Sequence, residues 1–167
     1  GDKEIVPRQL TGGGEHHDTA PRWSPDGSLL AFLSDRAGID QIYLLPMSGG
    51  EAQQFSLLQQ GVTEYSWRPD GQAILAHSYW KPQDERSASP TAYIASVYLR
   101  LDNQWDNKGY TDGRHKQLWL LPLEGIAQRI TSEPVDLDQS CWSPDGQQVV
   151  FCANRRQDPD LSVSRAL

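Results

Sequence analysis

The residues around Trp23, Trp67 and Trp142 spell the same word three times: Trp23-Ser-Pro-Asp-Gly27, Trp67-Arg-Pro-Asp-Gly71 and Trp142-Ser-Pro-Asp-Gly146. An internal repeat limits the fold more than any single motif does, because copies of one small unit must stack to bury their apolar faces. The word itself reads as a tight hairpin. Proline fixes φ at the first central position, Asp tolerates the second, and Gly supplies the positive φ that returns the chain to a strand.

Each glycine is followed by an apolar run: Leu29-Leu30-Ala31-Phe32-Leu33, Ala73-Ile74-Leu75-Ala76 and Val149-Val150-Phe151-Cys152. These runs do not alternate with polar residues, so each predicts a strand covered on both faces. A second word, Gln41-Ile-Tyr-Leu-Leu-Pro-Met47, recurs as Gln117-Leu-Trp-Leu-Leu-Pro-Leu123. A third closes each unit: Gln9-Leu10-Thr11, Gln54-Phe55-Ser56 and Arg129-Ile130-Thr131. A full unit therefore reads as four antiparallel strands, A to D, with the Trp ending strand A. Short strands, regular turns and a period in the forties predict an all-β chain, a partial β-propeller of four-stranded antiparallel blades. A flat sandwich is the competing architecture, but sandwiches do not repeat a word in register.

The spacing locates an interruption. From Trp23 to Ile42 is 19 positions, whereas from Trp67 to Leu118 is 51, which places an insertion of 32 residues at about 79–116. The expected organisation is one partial propeller over 1–167. Within it, 1–12 is the trailing strand of a preceding blade, 13–57 a full blade, 58–132 a second full blade with the insertion, and 133–167 an incomplete third.

Such a slice leaves blade faces uncovered. At roughly 25 cal/mol per Å², a few hundred Å² of bare face amounts to about several kcal/mol. Self-association is therefore expected, with the orphan first strand completing a neighbour's unfinished blade.

Composition excludes several partners. A net charge of −7 offers no electrostatic footprint for nucleic acid or an anionic membrane. No run of apolar residues approaches the length of a membrane span. Cys141 and Cys152 lie on the two arms of one hairpin but not opposite each other, so they are expected as buried free thiols rather than a disulfide. That favours a reducing compartment, the cytoplasm, over the periplasm or the exterior. There is no Gly-x-Ser-x-Gly elbow, phosphate loop, Cys-x-x-Cys pair or His-Glu-x-x-His helix, so no catalytic residue, metal site or cofactor is assigned.

His16 and His17 sit in a loop and, as neighbours in extended chain, point opposite ways. His77 is expected to be a packed, hydrogen-bonded core residue, and His115 shows no acidic partner. Asp26, Asp70 and Asp145 hold one turn position each, and Asp18, Asp136 and Asp138 are expected to cap backbone amides before strand A.

The insertion is the recognition candidate. It opens with Tyr79-Trp80-Lys-Pro-Gln-Asp-Glu-Arg86 and returns through Trp105-Asp-Asn-Lys-Gly-Tyr110-Thr-Asp-Gly-Arg114. In a four-stranded meander the B–C connection leaves from the end opposite the A–B turns. Aromatic and Arg-rich loops on a rigid scaffold typify binding surfaces. Trp80, Arg86, Trp105, Tyr110 and Arg114 are the substrate-binding candidates; an extra hairpin covering a blade edge is the alternative.

With these words in place the chain resembles the propeller of prolyl-oligopeptidase-clan serine peptidases, in the acylaminoacyl-peptidase or dipeptidyl-aminopeptidase-like branch, with TolB-like repeats. The resemblance rests on the Trp-Ser-Pro-Asp-Gly turns, Phe32-Leu-Ser-Asp-Arg36, Asp106-Asn-Lys-Gly-Tyr110 before Arg114-His-Lys-Gln-Leu-Trp119, and Phe151-Cys-Ala-Asn-Arg155 before Asp158-Pro-Asp160. It implies a C-terminal α/β-hydrolase domain in the parent chain, bearing a Ser-Asp-His triad. The propeller would cap that site, exclude large folded substrates and help hold a peptide. None of the triad maps onto this sequence. A TolB-like module that binds proteins without a hydrolase is the first alternative. A propeller lyase or glycosidase, with catalytic groups lining the channel, is the second. Sedimentation across a concentration series is expected to show self-association; a profile that stays monomeric throughout counts against the bare-face expectation.

Overall fold

The computed structural model describes residues 7–12, 14–80, 104–105, 109–110 and 113–153. In chain order the strands are β1 (Asp18–Trp23), β2 (Leu29–Ser34), β3 (Gln41–Pro46), β4 (Gln53–Gln54), β5 (Glu64–Trp67), β6 (Ala73–Trp80), β7 (Gln104–Trp105), β8 (Gly109–Tyr110), β9 (His115–Pro122), β10 (Gln128–Arg129), β11 (Leu137–Trp142) and β12 (Val149–Ala153). Four form one sheet in the order β1-β2-β3-β4, and four another in the order β5-β6-β9-β10. Both are antiparallel meanders, the blade of a β-propeller. β11 pairs β12, and β7 pairs β8. The chain divides into two units, Gly1–Leu57 and Leu58–Leu167.

In the first unit, the hairpin word closes by side-chain chemistry. Ser24 N–H donates to Leu29 O at 2.9 Å, and Gly27 N–H to Ser24 O at 2.9 Å. Because that carbonyl is occupied, Leu29 N–H turns to Ser24 Oγ at 2.9 Å, while Ser24 Oγ donates to Asp26 Oδ1 at 2.6 Å. The Ser24 hydroxyl, helped by Ser28, holds the Asp26 carboxyl down at about 2, well under its ordinary 3.8. The third copy repeats this with Ser143, Asp145 and Gln148. In the second, Arg68 replaces the serine and its Nε donates to Asp70 Oδ1 at 2.8 Å.

The strand after the turn is the core. β2 is buried along nearly its whole length, with Ala31 at 0 % exposure. Leu30, Phe32, Tyr43 and Leu45 pack into one cluster with Met47 and Ala52 against it. Arg36 lies over both the Phe32 and Tyr43 rings, 5.3 and 5.1 Å from their centres, and its Nη2 reaches Asp18 Oδ2 at 2.6 Å.

The third word explains how a two-residue D strand stays attached. Phe55 N–H donates to Ile42 O at 2.8 Å, and Ile42 N–H donates to Ser56 Oγ at 2.8 Å. Ser56 Oγ in turn donates to Gln41 Oε1 at 2.6 Å. The second blade repeats the pattern: Ile130 N–H donates to Leu118 O at 2.9 Å, and Leu118 N–H to Thr131 Oγ1 at 2.9 Å. A hydroxyl thus continues the ladder past the last backbone pair.

β1 and β11 carry the same irregularity. Each shifts register against its partner, between Thr19 and Arg22 and between Asp138 and Cys141. Ala20 and Gln139 take φ of 50° and 49° there, left-handed values unusual for residues with a Cβ.

In the second unit, β6 is buried on both faces, with Ile74, Leu75 and Ala76 all at 0 %. On one face Leu75 and Leu118 join Leu137 and Ala153, with Val135, Trp142, Val149 and Phe151 packed against them. The β11–β12 hairpin is therefore laid on the blade. The turns meet too: a Cβ at Gly146, whose φ is 68°, would be strained and would stand 3.2 Å from Arg68 Cγ, so the arginine would have to shift.

Two expectations change, the cover of β12 and the burial of Cys141. β12 is not covered on both faces along its whole length, since Val150 is 58 % exposed, although Cys152 on the same side is buried. Cys141 pairs across from Val150 and Cys152 from Asp138, and both are free, but Cys141 is exposed rather than buried because its strand position points away from the packed face. β6 and β9 stay paired as far as Trp80 and His115. Residues 7–12 show no strand.

Ser56→Ala should cost about 1–3 kcal/mol, the range for stranding a buried donor, whereas Ser56→Thr should retain most of the stability. Urea titration of the three proteins measures this, and equal midpoints would show that the hydroxyl is not part of the ladder.

Candidate functional site

Register assigns the two faces of the second blade. Tyr65 pairs Ala76 and Trp67 pairs Ile74, while Ala76, Ser78 and Trp80 pair Trp119, Gln117 and His115. Arg129 pairs Trp119. Paired residues share a face, so Trp80, Trp119 and Arg129 lie on one side. Leu75, His77 and Tyr79, with Lys116 and Leu118, lie on the other.

The second face carries a polar seam toward β11. His77 is 2 % exposed, with Nδ1 3.2 Å from Leu137 O and Nε2 2.6 Å from Ser140 Oγ. A carbonyl only accepts, so Nδ1–H donates and Nε2 of the neutral ring accepts from Ser140. Burial pushes the imidazole below its ordinary 6.5, against the pull of Glu64 and Asp138 and with some help from Lys116. Lys116 Nζ meets Asp138 Oδ1 at 2.6 Å. Burial alone would lower that ammonium, but the hydrogen bond and charge of Asp138 hold it above its ordinary value.

Three readings of these acids and histidines are corrected here. Asp138 pairs Lys116 and Asp18 pairs Arg36, whereas Asp136 caps an amide, accepting from Lys116 N–H at 2.8 Å. Burial would raise the Asp18 carboxyl, but hydrogen bonds from Ser34, Arg36 and Thr11 outweigh it and hold the group below its ordinary value. His115 does have an acidic neighbour, Asp136 Oδ1 at 3.5 Å from Nδ1. Tertiary packing brings position 136 to 115, which spacing along the chain does not reveal. In the first unit His17 Nδ1 lies 3.1 Å from Asp35 Oδ2 and His16 Nε2 3.7 Å from Asp18 Oδ2. Among the described residues no group of three or more His, Cys, Asp or Glu is placed to hold a metal.

The first face holds the pocket. Leu58, Gln59 and Gln60 from the loop before β5, Ser78, Tyr79 and Trp80 from the end of β6, and Trp119 from β9 enclose about 250 Å³. The Arg129 guanidinium lies 3.2 Å from the Trp80 ring centre. Trp119 Nε1 is buried with no hydrogen-bond partner among the described residues.

Of the residues expected to bind substrate, Trp80 is half-buried and lines this pocket, and Arg114 is half-buried next to His115, the residue paired with Trp80. Trp105 and Tyr110 sit on the β7–β8 hairpin, where Gln104 pairs Tyr110 and Trp105 pairs Gly109. Their side chains and all of Arg86 lie outside the described residues, as do Arg155 and Asp158. Sequence reasoning missed Trp119 and Arg129. Their signal was available, since Arg129 replaces the glutamine that Gln9 and Gln54 supply in the third word.

Residues 3–89 match the family model described as TolB beta propeller domain, PD40. The chain belongs to that family. Among curated relatives, this TolB β-propeller is 37 % identical over 155 residues to "Uncharacterized peptidase YuxL" of Bacillus subtilis (strain 168), covering 89 % of this chain and 24 % of that protein. It is 30 % identical over 142 residues to "Protein TolB homolog" of Chlorobium chlorochromatii (strain CaD3), covering 77 % of this chain and 32 % of that one. The chain thus spans about a quarter to a third of the length of these relatives. In fold it is similar to the Pyrococcus horikoshii acylaminoacyl peptidase, with a TM-score of 0.61 at 18 % identity, covering 84 % of this chain and 21 % of that one.

The seam generates a pH dependence. Because the folded-state pKa of His77 is depressed, the unfolded chain takes up the proton first. Stability is full above the ordinary 6.5 and falls as pH drops below it, until the folded ring also titrates. Thermal melts between pH 7.5 and 5 should show a shallower loss for His77→Gln than for the unaltered chain; identical slopes would assign the effect elsewhere.

Proposed function

We propose that this chain is the non-catalytic propeller of a serine-type peptidase, and that in the parent protein it caps the active site and contributes to holding a peptide substrate. The observation that carries this reading is the 37 % identity, sustained along 89 % of the chain, to a protein named as a peptidase of which the match covers 24 %. The remaining three-quarters of such a protein leaves room for the α/β-hydrolase domain that would supply nucleophile, base and orienting acid.

In this reading the propeller acts by exclusion and positioning. A rigid stack of blades beside a hydrolase admits extended peptides and turns away folded proteins. The aromatic and cationic residues at the end of β6, Trp80 with Arg129 over it, supply the chemistry for gripping an uncharged part of a peptide.

A second reading is a TolB-like module that binds proteins with no hydrolase attached. It is favoured by the family match over residues 3–89 and by 30 % identity to a TolB homolog. The two separate in the parent gene: a Gly-x-Ser-x-Gly elbow downstream of Leu167 belongs only to the peptidase.

The chain alone should leave acyl-peptide and dipeptidyl chromogenic substrates at background rates. The parent protein should cleave them with sensitivity to serine-directed inhibitors, and removal of the propeller should open folded proteins to cleavage. A parent protein without such turnover overturns the peptidase reading.

A further inference from the structure

The two full blades differ at the seat of one aromatic ring. Phe32 and Arg36 lie nine and 13 positions after the tryptophan that ends strand A, as Ala76 and Trp80 do in the second blade, and the repeated words with their strand pairing match Tyr43 to Trp119 and Gln54 to Arg129. In the first blade the seat is full: the Phe32 and Tyr43 rings stack with centres 6.0 Å apart, and Arg36 lies over both. In the second, the phenylalanine is an alanine, so β6 sends no ring onto Trp119. The cation comes instead from β10, where Arg129 covers Trp80. Beside Trp80 and Trp119 the pocket of about 250 Å³ opens.

We propose that this pocket is a subsite for an uncharged aromatic side chain of a peptide, seated against Trp80 and Trp119. Size supports one side chain, since pockets for whole drug-sized ligands run from roughly 300 to 1,000 Å³. Trp80 and Trp119 offer ring faces and edges and Leu58 an apolar wall, with Ser78 and the amides of Gln59 and Gln60 for the peptide backbone. Charge sets selectivity. Among the described residues no carboxylate lines the pocket, and the Arg129 guanidinium lies against Trp80, so an ammonium is disfavoured. This inference rests on the peptide-binding reading above and names the part of the peptide bound.

Isothermal titration of the chain with N-acetyl-L-phenylalaninamide and with N-acetyl-L-lysinamide tests it, with thermal midpoints recorded for every variant. The phenylalanine probe should bind at least tenfold more tightly than the lysine probe. Trp80→Ala should weaken the phenylalanine probe tenfold or more and Trp80→Phe less than threefold. Gln59→Glu, at an exposed position on the rim, should raise affinity for the lysine probe severalfold.

Equal binding of the two probes, absence of binding by the phenylalanine probe up to its solubility, or indifference to Trp80→Ala overturns the subsite. The peptidase reading fails separately. If the parent protein hydrolyses peptides while the probe does not bind, the subsite alone is wrong. If the probe binds with the stated selectivity and the parent hydrolyses nothing, the subsite stands and the peptidase reading falls.

Discussion

Strand B is the element on which the rest of the structure depends. β2 and β6 are apolar on both faces and hydrogen-bonded on both edges, so neither is stable except in the middle of a sheet that is itself covered. In the second unit the cover is visible: Leu75 on β6 and Leu118 on β9 meet Leu137 and Ala153 of the next hairpin. Burial of that kind is non-directional and contributes most of the favourable free energy, but it does not choose a register. Register comes from polar devices at the ends of the strands, the Ser-Pro-Asp-Gly turn at one end and the hydroxyl of Ser56 or Thr131 at the other.

These devices are strict where they touch the ladder and permissive elsewhere. Arg68 stands in the turn where the other copies have serine, and the turn still closes through Arg68 N–H to Ala73 O at 2.8 Å. Ser56 and Thr131 differ by a methyl group and do the same work, because only the hydroxyl is read. Positions between the devices drift more freely, and that freedom allows one blade to trade Phe32 for Ala76 without losing its fold. Chemistry specific to this chain has accumulated at such departures from the repeat.

The seam between the second blade and the β11–β12 hairpin shows how little of a blade contact is electrostatically simple. His77 is neutral and doubly hydrogen-bonded, whereas Lys116 and Asp138 are a charged pair only 13 % exposed on either side. Breaking one member of such a pair strands the other, so the pair gives specificity of docking more than net stability. Apolar packing through Leu137 supplies the adhesion, and the polar groups fix which residue meets which.

The repeat, the strand order, the turn chemistry and the family were legible in the sequence, because each depends on contacts between residues close along the chain or on a word that recurs. His77 as a packed core histidine was legible for the same reason, standing inside an apolar run. The pairing of Lys116 with Asp138, the meeting of His115 with Asp136 and the exposure of Cys141 were decided by tertiary structure, since each depends on which blade face meets which hairpin. The pocket belongs to both levels. Sequence alone determined that Ala76, Trp80, Trp119 and Arg129 depart from their counterparts; only folding brought Arg129 over Trp80 and set Trp119 beside them, because strands B, C and D become neighbours through hydrogen bonds that no local propensity encodes.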